Sequence, residues 1–105
     1  MVSVSEVFNA WQEACANKDS SKLAEFFTED FRFVSRLRDL GKQETLDWTA
    51  EGAMALDNLE VVYEDDKIAA IHHNVKFSNK DGISTGVFTK KDGKISQCRY
   101  VRTAI

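Results

Sequence analysis

The chain has 105 residues, of which 43% are hydrophobic and 30% charged, and its formal net charge is −3. That length suits one core, so a single domain over residues 1–105 is the expectation. No apolar run nears the roughly 20 residues of a membrane span, and an acidic balance opposes nucleic acid, whose phosphates need a basic face, so both are excluded as partners.

The first residues, Met1 to Glu6, carry no basic stretch followed by an apolar run, so no secretory signal is expected and the location follows as cytoplasmic. Ser3 and Glu6 have the spacing of a capping box, and a helix should begin there. Val4, Val7, Phe8, Trp11, Ala14 and Cys15 then recur at three- and four-residue steps, which puts them on one stripe. Asn17-Lys18-Asp19-Ser20 interrupts it, and a short second helix follows with Leu23, Phe26 and Phe27 on its buried side. From Phe31 to Leu37 the period becomes two, with Phe31, Phe33, Ser35 and Leu37 on one face of a strand. Gly41 with Glu44 starts a third helix, in which Leu46, Ala50, Ala53 and Met54 share a face beside Trp48.

Four strands should follow as a meander: Leu59 to Glu64, Ile68 to Phe77, Ile83 to Lys90 and Ile95 to Arg102. Asp65-Asp66 separates the first two. Asp81-Gly82 and Asp92-Gly93 are expected to turn the next two hairpins, because both central residues of the tight turn need positive φ. The chain has no proline, so its turns rest on Gly, Asp and Asn. Helices followed by an antiparallel meander define an α+β domain, in which the helices cover one face of the sheet and a cleft lies between.

Cys15 and Cys98 sit inside apolar patterns without a CxxC partner and read as buried thiols, with no metal site and no cofactor implied. His72 and His73 are neighbours on a strand, point to opposite faces and cannot share a metal ion. His73 has the parity of Ala69, Ile71, Val75 and Phe77, which makes it the polar member of an apolar face and a candidate base. A histidine satisfied by a backbone group is the alternative. All five arginines, Arg32, Arg36, Arg38, Arg99 and Arg102, lie in the first strand region or the last strand. They are either a guanidinium cluster for a carboxylate or phosphate, or partners of Glu29, Asp39, Glu60 or Glu64, or interface residues. Phe8, Trp11, Phe33 and Trp48 either line an apolar cavity or fill it.

The order of these elements resembles the nuclear transport factor 2-like superfamily, in particular its SnoaL-like and ketosteroid-isomerase-like members. The resemblance spans nearly the whole chain and is carried by Asn17-Lys18-Asp19, Leu23 with Phe26-Phe27, Glu29-Asp30-Phe31, Gly41, and Asp92-Gly93-Lys94-Ile95 followed by Arg99. It implies a cone-shaped curved antiparallel sheet, four meander strands plus a first strand, packed on three N-terminal helices. A pocket inside the cone and a homodimer through the outer sheet face are implied with it. It turns Cys98, Tyr100 and Arg102 toward the pocket, so Tyr100 becomes the candidate hydroxyl donor beside His73. The places of the isomerase's tyrosine and first acid fall on Trp11 and Ser35, and its second acid falls at Thr85 or Gly86. None of these can serve as phenolic acid or carboxylate, which sets that mechanism aside.

The expected site therefore has His73 and Tyr100 as catalytic candidates, lined by Phe8, Trp11, Cys15, Phe33, Ser35, Trp48, Thr85, Cys98 and Arg102. Three functions compete: binding of an apolar or carboxylate-bearing small molecule, acid–base chemistry of the SnoaL-like cyclase, dehydratase or isomerase kind, and a non-catalytic dimerisation or docking module.

Overall fold

In a computed structural model that describes residues 2–104, helix α1 (Val4–Asn17) opens as its cap predicts. The Ser3 hydroxyl accepts from the Glu6 N–H at 3.2 Å, and all six stripe residues are buried. The helix stops at Lys18, which adopts the left-handed conformation with φ 54°. Helix α2 (Ser21–Ala24) is a single turn, because Phe27 already belongs to strand β1 (Phe27–Val34). There Phe27 stacks on Phe31 with centroids 3.9 Å apart.

Strand β1 ends three residues earlier than the alternation suggests. Ser35 to Arg38 form a loop, closed by the Ser35 N–H donating to the Arg38 carbonyl at 2.8 Å, and the chain returns as β2 (Asp39–Gly41). Leu37, expected on the buried face, is consequently 90% exposed. Helix α3 (Lys42–Ala50) is also shorter than expected. Gly52 takes φ 72°, a conformation that ends helices, and a Cβ there would lie 2.9 Å from the Lys18 side chain. Met54 therefore starts strand β3 (Met54–Glu64), which pairs with β4 (Ile68–Phe77).

The β4–β5 turn corrects the sequence reading. It is made by Ser78 and Asn79, with φ 51° and 66°, and it pairs Phe77 with Lys80. Asp81-Gly82 lies inside strand β5 (Lys80–Lys91), where Asp81 faces Lys76 and Gly82 faces Val75. Asp92-Gly93 does turn the last hairpin into β6 (Lys94–Ala104), with φ 54° and 75°. A turn at Asp81-Gly82 would have set His73 opposite Lys90 instead of Ser84. Both lie on the same face of β5, so the slip changes partners but leaves the facing of each residue intact.

The six strands form one curved mixed sheet in the order β2-β1-β6-β5-β4-β3. The expected antiparallel sheet is corrected at one place: β1 runs parallel to β6, with Phe33 beside Cys98 and Val34 beside Arg99. The connection between those strands spans α3 and the meander, so it can close in parallel as no hairpin could. Helix α1 packs across the concave face, where Trp11 meets Phe27, Phe33 and Phe88 at centroid distances of 5.5, 6.1 and 6.4 Å. Among the described residues no helix is long and apolar enough to cross a membrane.

Candidate functional site

Between α1, α3 and the concave face of the sheet lies a cavity of about 680 Å³. That is within the roughly 300–1,000 Å³ usual for small-molecule sites. Its wall is largely apolar. Phe8 and Trp11 come from α1, Phe33 from β1, Trp48 from α3, Met54 and Leu56 from β3, and Val75 and Phe77 from β4. The aromatic residues do both things the sequence left open: Trp11 is 4% exposed, packs on three rings, and still borders the space. Trp48 meets Phe33 edge-on at 5.3 Å, and the Arg38 guanidinium lies 4.5 Å above its ring.

The polar part of the wall is small. His73 is buried, and its Nδ1 lies 3.0 Å from the carbonyl oxygen of Asn74. A carbonyl only accepts, so Nδ1 carries the proton and Nε2 presents its lone pair. Nε2 is 3.2 Å from the Tyr100 hydroxyl, which therefore donates to it. Burial pushes the imidazole pKa below its ordinary value, outweighing the hydrogen bond to Asn74 that favours the charged ring, so His73 stays neutral in neutral solution. Burial likewise raises the Tyr100 phenol well above its ordinary range. The pair is thus a neutral base and an un-ionised donor, joined to each other.

Glycines on β5 make room for two side chains of β6, one of them the Tyr100 of that pair. Tyr100 lies opposite Gly86 with its ring flat on the glycine, where a Cβ would come within 2.7 Å of ring carbons. Its ring also stacks on Phe33 at 5.4 Å and meets Phe88 edge-on at 5.8 Å. One strand position away on the same face, Ser84 borders the cavity, and beyond it Gly82 lies beneath the Arg102 guanidinium. Gly82, Ser84 and Gly86, alternate residues on the inward face of β5, accordingly form a groove of small residues for two long side chains of the next strand.

Of the lining residues expected from sequence, Phe8, Trp11, Phe33, Ser35, Trp48 and Arg102 border the cavity together with His73 and Tyr100. Three do not. Thr85 faces the opposite side of the sheet, where its hydroxyl contacts His72 Nδ1 at 3.0 Å, and Ser84 occupies the inward position. Cys98 lies wholly within the core beneath Tyr100, and Cys15 is buried on α1, its thiol pKa pushed up to about 11 by burial. Both cysteines are packing residues with no thiolate character. Val75 and Phe77 were within reach of the parity that selected His73. Met54, expected at the end of the third helix, and Leu56, expected between that helix and the next strand, both belong to β3 and reach the cavity from it.

No protein-family model matches the sequence, and no curated protein matches it. Solved structures do. An NTF2-like protein of unknown function from Cytophaga hutchinsonii superposes with a TM-score of 0.82 at 10% identity, over 97% of this chain and 91% of that one. A protein from Sinorhizobium meliloti provisionally named a polyketide cyclase gives 0.73 at 22% identity, over 91% of this chain and 94% of that one. One from Kribbella flavida, provisionally named a ketosteroid isomerase, gives 0.74 at 15% identity, over 92% of this chain and 75% of that one. Identities this low speak only to architecture, and with the six-stranded sheet wrapped on α1 they lead to one statement: the chain has the nuclear transport factor 2-like fold.

Proposed function

We propose that this protein binds a small molecule with an apolar, ring-bearing body in the cavity between α1 and the sheet. The observation that carries the reading is the wall itself: about 680 Å³ bounded largely by apolar and aromatic side chains, with His73, Tyr100 and Ser84 among its few polar groups. Such a surface gains from burying rings, while a few placed hydrogen-bonding groups orient them. Trp11 and Trp48 both border the space, so occupancy should be visible in their emission. Titration with a panel of polycyclic aromatic and steroid ketones is expected to quench tryptophan fluorescence saturably and to raise the melting temperature. A flat response across the panel would exclude the reading.

The contact between His73 and Tyr100 supports a second, catalytic reading. A ligand carbonyl near Tyr100 would draw its hydroxyl away from His73, so that Tyr100 donates to the carbonyl oxygen and the Nε2 lone pair is released. The freed imidazole then takes a proton from the carbon next to that carbonyl, while the hydrogen bond from Tyr100 stabilises the enolate left behind. A bound ketone in deuterated water should therefore exchange its α-hydrogen. Tyr100→Phe should slow exchange by about 100-fold or more, the usual scale for losing one oxyanion donor. His73→Asn should abolish it while ketone binding remains. Exchange that persists in both variants would exclude the catalytic role and leave binding standing.

A further inference from the structure

The five arginines divide sharply once the fold is known. Arg32 is paired with Asp39, and Arg99 sits opposite Val87 on the outer face of the sheet. The remaining three, Arg36, Arg38 and Arg102, border the cavity and are exposed, so they stand at its mouth. No aspartate or glutamate borders it among the described residues, although the chain has 17 acidic residues against 14 basic ones. The acids that might have neutralised these arginines are used elsewhere: Glu29 pairs with Lys42, Glu64 with Lys90 and Asp39 with Arg32.

Two of the three guanidiniums are held in position by uncharged groups. The one on Arg38 lies over the Trp48 ring, which leaves its N–H edges free. Arg102 lies against Gly82, close enough that a Cβ would come 2.9 Å from Nε, and its Nη2 donates to the Lys80 carbonyl at 3.2 Å. Ordering a long cationic side chain without a carboxylate leaves its charge uncompensated, and an incoming anion then has less entropy to lose.

Resting on the binding function proposed above, we infer that the ligand is an amphipathic anion: its rings enter the apolar cavity, and an oxyanion such as a carboxylate stays at the mouth between Arg36, Arg38 and Arg102. Guanidiniums suit such a head because their planar N–H edges match two oxygens at once. The anion remains partly hydrated there, and burial of charge in the apolar interior is avoided.

Anilinonaphthalene sulfonate and phenyl naphthylamine share one aromatic body and differ by the sulfonate, so together they separate the mouth from the cavity. The wild-type protein is expected to bind the sulfonate at least about tenfold more tightly at low salt, the scale of one charge-assisted hydrogen bond. The preference should shrink as salt rises. Replacing all three arginines by glutamine should remove the preference and leave the affinity for the neutral amine unchanged, which also reports that the cavity is still folded. Gly82→Ala should weaken sulfonate binding alone, because the new Cβ displaces only the flexible end of Arg102. Equal wild-type affinities for the two probes would overturn the anion inference and leave the cavity reading intact. Failure of both probes to bind would overturn the two together.

Discussion

Replacing Glu64 by alanine is expected to cost about 3–5 kcal/mol, the usual loss when one partner of a buried ion pair is removed. Lys90 sits on β5 with its side chain only 3% exposed, and its ammonium donates to Glu64 Oε2 at 2.7 Å and to the Asp65 carbonyl at 2.8 Å. The same carboxylate oxygen accepts from the Val4 N–H at 2.7 Å, at the first turn of α1. Glu64 therefore ties the start of the helix to two strands. Without it the buried ammonium keeps only the Asp65 carbonyl as acceptor, and the helix loses a partner for an end N–H. Each kcal/mol moves a domain of about this size by roughly 4–8 °C, so thermal melting should fall by on the order of 15 °C or more. Lys90→Met should cost less, because Glu64 is 26% exposed and can be rehydrated. Equal losses in the two variants would contradict this account.

Acid should act through the same residue. Burial pushes the Glu64 pKa upward, but the hydrogen bonds from Lys90 and Val4 together with the Lys90 charge outweigh it, and the folded value lies below the ordinary 4.5. As pH falls, the unfolded chain binds the proton first, so the stabilisation is complete above 4.5 and is lost as pH drops through the folded value. The acid limb of a stability–pH curve should accordingly be shallower in Glu64→Ala than in the wild type.

Gly86→Ala should lower stability by about 1–3 kcal/mol, the cost of overpacking a filled site, and should also spoil ligand binding. The added Cβ would lie 2.7 Å from Cε1 and Cζ of Tyr100. That ring is confined by Phe33 and Phe88, so relieving the clash shifts it off Gly86 and disturbs its 3.2 Å contact with His73 at the cavity wall. The clash depends on the ring, which gives the prediction a sign test. In a Tyr100→Ala background the same glycine substitution should be neutral or stabilising by up to about 1 kcal/mol, since alanine is then preferred to glycine in a strand. Thermal melts of the four proteins in that cycle decide the matter, and an unchanged cost for Gly86→Ala in the Tyr100→Ala background would refute the packing explanation.

What the sequence by itself determined is what local chemistry controls. The α1 stripe follows from a 3.6-residue period, its start from the Ser3 cap, and the last hairpin from Asp92-Gly93. The place of His73 on the apolar face follows from strand alternation, which survived a displaced turn because both candidate turns keep the same faces together. Alternation only groups Tyr100 with Cys98 and Arg102, and the resemblance supplied their inward direction. Only the tertiary structure decided the rest. Local chemistry favours Asp81-Gly82 for the tight turn, yet Ser78-Asn79 makes it, with Asn79 in the positive-φ conformation that Asn tolerates. The contest is settled across strands, where Gly82 lies inside β5 opposite Val75 and beneath the Arg102 side chain. The parallel pairing of β1 with β6, the Glu64–Lys90 tie and the three arginines at one cavity mouth join segments far apart in the chain. No local period or turn signal records such meetings, because they arise from the closure of the whole sheet around α1.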